Sequence, residues 1–217
     1  DVITNKATQF IQTAQQPFFL ELSTYSPHKP APVATRNALK QGGTLAPRNP
    51  TYNSYGVDEP KWMKDRTPLN ATRLAKADRQ WRQRARSAES IADSVDAIMA
   101  KLKETGRDED TLVVVTTDNG YHMAERRMFK GKRTPYASDT VVPMIVIGPG
   151  VPAGITVDAM TSTIDLGPSF AQLLGATAPS WVDGRSLVDF FSAGVPGLLI
   201  LKSFLSTGLK QWNEQHK

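Results

Sequence analysis

The sequence predicts an α/β fold, because strand-like apolar runs alternate with segments of helical periodicity along its 217 residues. Thr111–Thr116 (TLVVVT) and Val141–Gly150 (VVPMIVIGPG) are largely apolar, as expected of strands that are covered on both faces. Between Ala85 and Glu104, apolar residues instead recur at the spacing of one helical face. Ligands of α/β folds gather at the carboxyl ends of strands, so the residues that follow these runs are candidates for a site.

The remaining elements are predicted from local signals. Residues 1–10 (DVITNKATQF) have the pattern of a helix interior, and Phe18–Thr24 (FFLELST) predicts a buried strand. Residues 31–80 are rich in turn signals and predict a long loop region, which usually means a functional loop or a surface excursion. The segment TSTIDLGPSFAQLLG predicts a short helix that starts near Asp165 and ends at Gly175.

The composition is that of an ordinary globular protein, with 40% hydrophobic and 22% charged residues. No apolar run approaches the roughly 20 residues that a membrane helix needs, so we expect no membrane partner. The absence of cysteine excludes disulfides, thiolate zinc sites and cysteine nucleophiles within these residues. The net charge of +5 suits an anionic ligand such as a sulfate, a phosphate or a nucleic acid.

Asp118, Asn119 and Gly120 directly follow the run Thr111–Thr116 and have two interpretations. Asn-Gly is a strong signal for a tight hairpin turn, but a hairpin needs an alternating strand directly afterwards, and YHMAERRMFKGK is not one. Adjacent Asp and Asn side chains at a strand end can alternatively supply oxygen ligands to a hard cation such as Ca²⁺ or Mg²⁺. Both interpretations stay open on this segment alone.

Two further residues have the chemistry to act on an anion. Lys132 precedes the run that begins at Val141, and a lysine there can hold a tetrahedral oxyanion as a point charge, although most lysines are solvated surface charges. His28 follows Phe18–Thr24 between prolines and suits a general acid, although a lone histidine is more often structural. Two oxygen ligands, a cation and an imidazole together favour metal-assisted hydrolysis of an anionic ester.

Four segments resemble, in order and spacing, successive blocks of the sulfatase family in the alkaline-phosphatase superfamily. They cover most of residues 17–190 and read PFFLELSTYSPHKP, TLVVVTTDNGYHMAE, GKRTPYASDTVVPMIVIGPGVPAG and STIDLGPSFAQLLGATAPSWVDGRSL. The segment WRQRARSAESIADSVDAIMAKLKETG, together with KRTPY, is most similar to the N-acetylglucosamine-6-sulfatase branch. The resemblance implies part of an alkaline-phosphatase-like mixed sheet that is flanked by helices.

The resemblance also implies roles for five residues. Asp118 and Asn119 match the second pair of metal ligands, for which we expect calcium, with magnesium as the alternative. His28 matches the histidine that helps the leaving alcohol depart, and Lys132 matches the lysine that binds the sulfate. His122 follows the metal pair and is expected to face the substrate, which would be a sulfated small molecule or glycan.

The nucleophile of the family is a formylglycine made from a cysteine or serine in a Cys/Ser-x-Pro-x-Arg motif, and these residues contain no such motif. The first pair of metal ligands is also missing, so we expect residues 1–192 to be the carboxyl-terminal part of a sulfatase catalytic domain and to be inactive alone. Residues 193–217 would be a tail with a short helix near 204–215. The missing amino-terminal part is the expected partner, and self-association is the other way to cover exposed apolar surface.

From the sequence alone, three alternatives to a catalytic sulfatase remain open. A phosphoesterase of the same superfamily would keep the fold and change the anion. A non-catalytic binding or scaffold domain would use the basic segment Arg73–Ser87, in which Trp81 is interleaved, although a solvated helix face explains that segment better than nucleic-acid binding does. An inactive sulfatase-like protein is the third.

Overall fold

A computed structural model describes residues 1–191 and 197–204 of the chain. The chain divides into two compact units. The first unit contains Asp1–Thr105 and Tyr121–Gly131, and the second contains Gly106–Gly120 and the residues from Lys132 onward. Each unit has its own buried residues and is described by itself.

Helices form the first unit. Helix α1 spans Val2–Thr13, α2 spans Lys61–Lys64 and α3 spans Ala71–Glu104. Helix α1 packs on α3 through the buried side chains of Ala7 and Ile11, and the hydroxyl groups of Thr4 and Ser94 lie 2.8 Å apart. The helix that the sequence predicts for residues 1–10 is therefore confirmed.

Helix α3 begins earlier than the sequence predicts, at Ala71 instead of Ala85. The side chain of Asn70 accepts a hydrogen bond from the backbone N–H of Arg73 and so caps the first turn. Ala77 is fully buried beside Leu69 and Ala124, so tertiary packing holds this half of the helix in place. This half of α3 contains many charged residues and only a narrow apolar stripe, so its hydrophobic periodicity is too weak to predict a helix from the sequence.

The strand predicted for Phe18–Thr24 is wrong within the described residues, where this segment belongs to no strand. Its residues alternate between partly buried and exposed, as in an extended chain, without being part of a described β-ladder. β-prone residues favour an extended backbone, whereas a strand also requires a neighbour that completes its hydrogen bonds. The predicted loop region 31–80 is confirmed up to α3, with a 3₁₀ turn at Thr35–Asn37 and α2 as its short regular pieces.

A four-stranded mixed sheet forms the second unit. Its strands are β1 (Val113–Thr116), β2 (Val141–Ile147), β3 (Pro152–Thr161) and β4 (Gly197–Phe204), in the order β1-β2-β4-β3. β1 and β4 pair antiparallel with β2, and β3 pairs parallel with β4. The predicted α/β fold is confirmed, as are both strands predicted from apolar runs.

Short helices complete the second unit: α4 (Ala137–Thr140), α5 (Leu166–Leu173) and α6 (Val188–Phe191). The predicted helix after residue 161 is confirmed as α5, and Ser162 and Asp165 form a capping box around the 3₁₀ turn Thr163–Asp165 that leads into it. Strands β3 and β4 were not predicted from the sequence, which for residues 193–217 predicts only a tail with a short helix. The helix predicted near residues 204–215 lies, after residue 204, outside the described residues. The domain boundary predicted at residue 192 stays a prediction.

Among the described residues of the second unit, one cluster of buried apolar residues combines β2, its following turn and the segment around α6. These are Met144, Val146, Val151, Leu187 and Phe191. Over the residues that the structure describes, no helix has the length and the apolar character that a membrane span requires.

Candidate active site

The Asp118-Asn119-Gly120 segment is the turn that leaves β1, and it is not a two-residue hairpin. The antiparallel partner of β1 is β2, with Val113 opposite Ile147 and Thr116 opposite Met144, and the whole segment 117–140 separates the two strands. The hairpin interpretation is therefore wrong. The end of β1 instead lies beside the chain that leads into β2, because the strands are antiparallel.

Lys132 and Asn119 are in direct contact within the second unit. The ammonium group of Lys132 donates a hydrogen bond of 2.9 Å to Oδ1 of Asn119. The amide nitrogen of Asn119 donates to its neighbour's carbonyl, that of Gly120, at 2.7 Å, which orients the oxygen toward the lysine. Lys132 is partly buried, so its charge is held in one place and not free in solvent. Two residues that the sequence nominated separately thus form one polar group.

Asp118 precedes this pair and is exposed. One of its carboxylate oxygens accepts a hydrogen bond of 3.3 Å from the hydroxyl group of Thr117. The carboxylate of Asp118 and the amide oxygen of Asn119 are hard oxygen donors of the type that calcium and magnesium select. Calcium takes about 6 to 8 oxygens, and within the described residues no group of three or more His, Asp and Glu side chains could hold a metal. The two donors fit such a metal in type and would supply only part of its coordination shell.

Asp139 organises the loop that carries Lys132, a role that was not predicted from the sequence. Its carboxylate is 3% exposed and accepts hydrogen bonds from the backbone N–H of Thr134 at 2.9 Å and from its hydroxyl group at 2.7 Å. The backbone carbonyl of Asp139 also accepts a hydrogen bond of 2.9 Å from Gly120. One residue therefore fixes both the Lys132 loop and the turn after β1. An acid directly before a buried strand was the available signal.

Gly120 lets the turn approach this loop closely. A Cβ atom at position 120 would lie 2.1 Å from the carbonyl oxygen of Ser138 and 3.1 Å from the Cα atom of Asp139. Real Cβ atoms do not come so close to backbone, so any larger residue must push the turn away. The glycine is required here by close packing.

His28 lies in the first unit, on an exposed loop that α3 holds. The loop is attached by the Gln83 side chain, which donates 2.9 Å to the carbonyl of Pro30, and by the hydroxyl groups of Ser26 and Ser87, 3.1 Å apart. Nδ1 of His28 lies 3.0 Å from the carbonyl oxygen of Lys29. That oxygen can only accept a hydrogen bond, so Nδ1 carries a hydrogen and Nε2 is the ring nitrogen that this contact does not use.

His122 also belongs to the first unit and is 5% exposed. Its backbone pairs with Gly131 in both directions, at 2.9 and 3.1 Å. A Cβ atom on Gly131 would lie 2.9 Å from Nε2 of His122, so glycine at position 131 leaves the space that the imidazole ring fills. The role of His122 as a substrate contact stays a prediction.

The comparisons with known proteins agree with this fold and this sequence pattern. Solved structures of alkaline-phosphatase-like α/β fold match most of the chain. One, a protein in complex with its substrate D-glucosamine-2-N,6-O-disulfate, has a TM-score of 0.71 at 17% identity, covering 91% of this chain and 52% of that one. Another, a phosphonate monoester hydrolase from Silicibacter pomeroyi, has a TM-score of 0.68 at 28% identity, covering 90% and 42%.

The chain belongs to the sulfatase family, whose family model matches residues 1–176. It is 30% identical to the human N-acetylglucosamine-6-sulfatase over 193 residues, which are 87% of this chain and 35% of that protein. The chain spans about a third of the length of the curated relatives it matches, 30% of one and 35% of another.

Proposed function

We propose that the chain supplies part of a sulfatase active site that hydrolyses sulfate monoesters of sugars, with Lys132, Asp118, Asn119 and His28 as its residues. The observation that carries the proposal is the 2.9 Å contact between the Lys132 ammonium group and Oδ1 of Asn119. It places a cation beside oxygen donors at a strand end, which suits a bound sulfate group and a metal. Membership of the sulfatase family supports a sulfate ester as the bond that is hydrolysed. The similarity to the human N-acetylglucosamine-6-sulfatase supports a sugar as the substrate that carries this ester.

Each of the four residues is proposed to have a role that follows from its side-chain chemistry. Lys132 binds a sulfate oxygen as a compact point charge. Asp118 and Asn119 are the residues that would hold a divalent cation, which when bound supplies positive charge against the sulfate oxygens. His28 releases a proton from Nε2 to the departing alcohol, because its Nδ1 is engaged by a carbonyl oxygen.

The nucleophile is proposed to lie outside these 217 residues, which contain no cysteine and no Ser-x-Pro-x-Arg motif. The resemblance to the sulfatase family implies that this nucleophile would be a formylglycine. The 217-residue chain alone should therefore bind a sulfated sugar and leave it intact. Release of sulfate from N-acetylglucosamine 6-sulfate by the purified chain would contradict this division.

Binding of N-acetylglucosamine 6-sulfate to the 217-residue chain, followed by calorimetry, tests the Lys132 assignment directly. Lys132→Met should weaken binding about tenfold, since a charge-assisted hydrogen bond to sulfate is lost. Lys103→Met is the matched control, because Lys103 is an exposed lysine at the far end of α3. Equal affinities of the two variants for the sulfated sugar would show that Lys132 does not bind the sulfate.

A phosphonate monoesterase is the second candidate, because the chain is 28% identical to a phosphonate monoester hydrolase of similar fold. The complete gene product distinguishes the two. With 4-nitrophenyl sulfate and 4-nitrophenyl phenylphosphonate as substrates, the sulfatase proposal predicts faster hydrolysis of the sulfate ester. The reverse order would favour the phosphonate.

A further inference from the structure

The acid in α4, Asp139, has a side chain that is almost completely removed from solvent, with 3% of the residue exposed. Its oxygen Oδ2 accepts two hydrogen bonds from one residue, Thr134, at 2.9 Å from the backbone N–H and at 2.7 Å from the hydroxyl group. The hydroxyl group of Ser138 donates to the other oxygen, Oδ1, at 3.4 Å. A buried charge is costly unless it is hydrogen-bonded, so the carboxylate and Thr134 hold each other in place.

The backbone between Lys132 and Thr134 has a conformation that a chain rarely adopts without support. Arg133 lies between them and has a φ of 77°, which is in the left-handed region. A residue with a Cβ atom is uncommon there, and such a conformation persists where the surrounding contacts impose it. The two bonds from Thr134 to Asp139 come directly after Arg133 and fix the end of this turn. The backbone that carries Lys132 therefore depends on the carboxylate of Asp139.

Asp139 also holds the partner of Lys132, through its main chain. Gly120 donates a hydrogen bond of 2.9 Å to the backbone carbonyl of Asp139. Asn119 directly precedes Gly120, and its Oδ1 accepts the bond of 2.9 Å from the Lys132 ammonium group. All of these residues belong to the second unit. The cation and the amide oxygen are thus both attached to one residue, the first through its side chain and the second through its carbonyl group.

We infer that Asp139 is a positioning residue for sulfate binding, because its carboxylate fixes, through Thr134, where the Lys132 ammonium group lies. The inference rests on the proposed function, in which Lys132 binds the sulfate. A lysine side chain loses much of its freedom when it binds an anion, so an ammonium group that is already held in place binds more tightly. This role does not require Asp139 to touch the substrate.

The sign of the effect separates position from charge. A carboxylate near a sulfate group repels it, so removal of the negative charge of Asp139 should by itself strengthen sulfate binding. Loss of the bonds to Thr134 should weaken binding, because Lys132 is then no longer held. Asp139→Ala removes both the charge and the acceptor oxygens, whereas Asp139→Asn removes the charge and keeps one carbonyl oxygen for Thr134. We therefore expect weaker binding for Asp139→Ala and unchanged or tighter binding for Asp139→Asn.

Calorimetry of N-acetylglucosamine 6-sulfate binding to the 217-residue chain, in a double-mutant cycle with Lys132→Met, tests the inference. Asp139→Ala should weaken binding about fivefold when Lys132 is present and by less than about twofold in the Lys132→Met background. Asp139→Asn should bind the sugar at least as tightly as the unmodified chain does, to within about twofold. The control Asp158→Ala removes an exposed acid from β3 of the same unit and should change the affinity by about twofold at most.

Equal losses from Asp139→Ala in both backgrounds would show general damage to the fold and would overturn the positioning role. The role is also wrong if Asp139→Asn weakens binding as much as Asp139→Ala does, since the acceptor oxygen would then not matter. If Asp139→Ala does not fold by circular dichroism, Thr134→Val, which removes the hydroxyl donor alone, is measured against the same criteria. If the unmodified chain does not bind the sugar, or Lys132→Met binds it equally well, the proposed function fails. If Lys132→Met weakens binding and Asp139→Ala does not, the inference alone fails.

Discussion

Replacement of Gly120 by alanine tests whether the turn after β1 must pack directly on the loop that carries Lys132. The new methyl group would lie 2.1 Å from the Ser138 carbonyl oxygen and 2.9 Å from its carbonyl carbon. Both are backbone atoms, so no side chain can rotate to make room. The turn must move outward, and the hydrogen bond of 2.9 Å from Gly120 N–H to the Asp139 carbonyl must lengthen or break.

The loss of stability follows from three contributions. Overpacking costs about 1–3 kcal/mol, and the lost backbone hydrogen bond costs about 1 kcal/mol. Alanine restricts the unfolded chain more than glycine does, which offsets about 0.4–1 kcal/mol. Gly120→Ala should therefore lower the free energy of unfolding by about 1–3 kcal/mol.

Urea unfolding followed by circular dichroism measures this difference. Gly167→Ala is the control, because Gly167 lies in α5 of the same unit and a Cβ atom there would meet nothing within 4 Å. It should leave stability unchanged or raise it by up to about 1 kcal/mol, since alanine favours helix. If Gly120→Ala is as stable as the control, the close packing of turn and loop is refuted.

Two further predictions concern the first unit. Burial raises the pKa of Asp78, but hydrogen bonds from Arg48 and the Ala46 N–H outweigh it and leave the pKa below its ordinary value. The stabilisation is thus present above the unfolded-state pKa and is lost as pH falls through the folded-state pKa. Asp78→Asn should therefore cost about 1–2 kcal/mol by urea unfolding near pH ~7, and the difference from the unmodified chain should shrink as the pH is lowered below the ordinary range of an aspartate. Burial, and after it the neighbouring cations Lys29, Lys76 and Arg84, lower the pKa of Lys130. Lys130→Met removes this disfavoured charge and should raise stability by up to about 0.5 kcal/mol, and a lower melting temperature would contradict this.

Elements whose local pattern and packing agree could be predicted from the sequence. The apolar run of β2 supplies the buried Met144 and Val146, and the capping signal at Asp165 starts the helix that follows. In each case a few neighbouring residues contain the whole signal. The same holds for Asn119 and Lys132, each of which stands out by its chemistry beside a predicted strand.

Features that depend on partners distant in sequence could not be predicted. Phe18–Thr24 has strand propensity without a described strand beside it, and β4 depends on neighbours that lie far back in the chain. Asp139 looks like one acid among many until its buried contacts with Thr134 are known. The amino-terminal half of α3 owes its place to Ala77, whose small side chain is weak evidence of burial.

The contact between Asn119 and Lys132 arises from antiparallel strand pairing, which the sequence did not predict. From the sequence, a site was expected at the carboxyl ends of strands, where ligands gather in parallel sheets. β1 and β2 are antiparallel, so the chain leaving β1 meets the chain entering β2, with Thr116 opposite Met144. The bonds of Asp139 then hold that entering chain in place. A slip of one residue would turn the buried face of β2 outward, so core packing and the position of Lys132 depend on the same register.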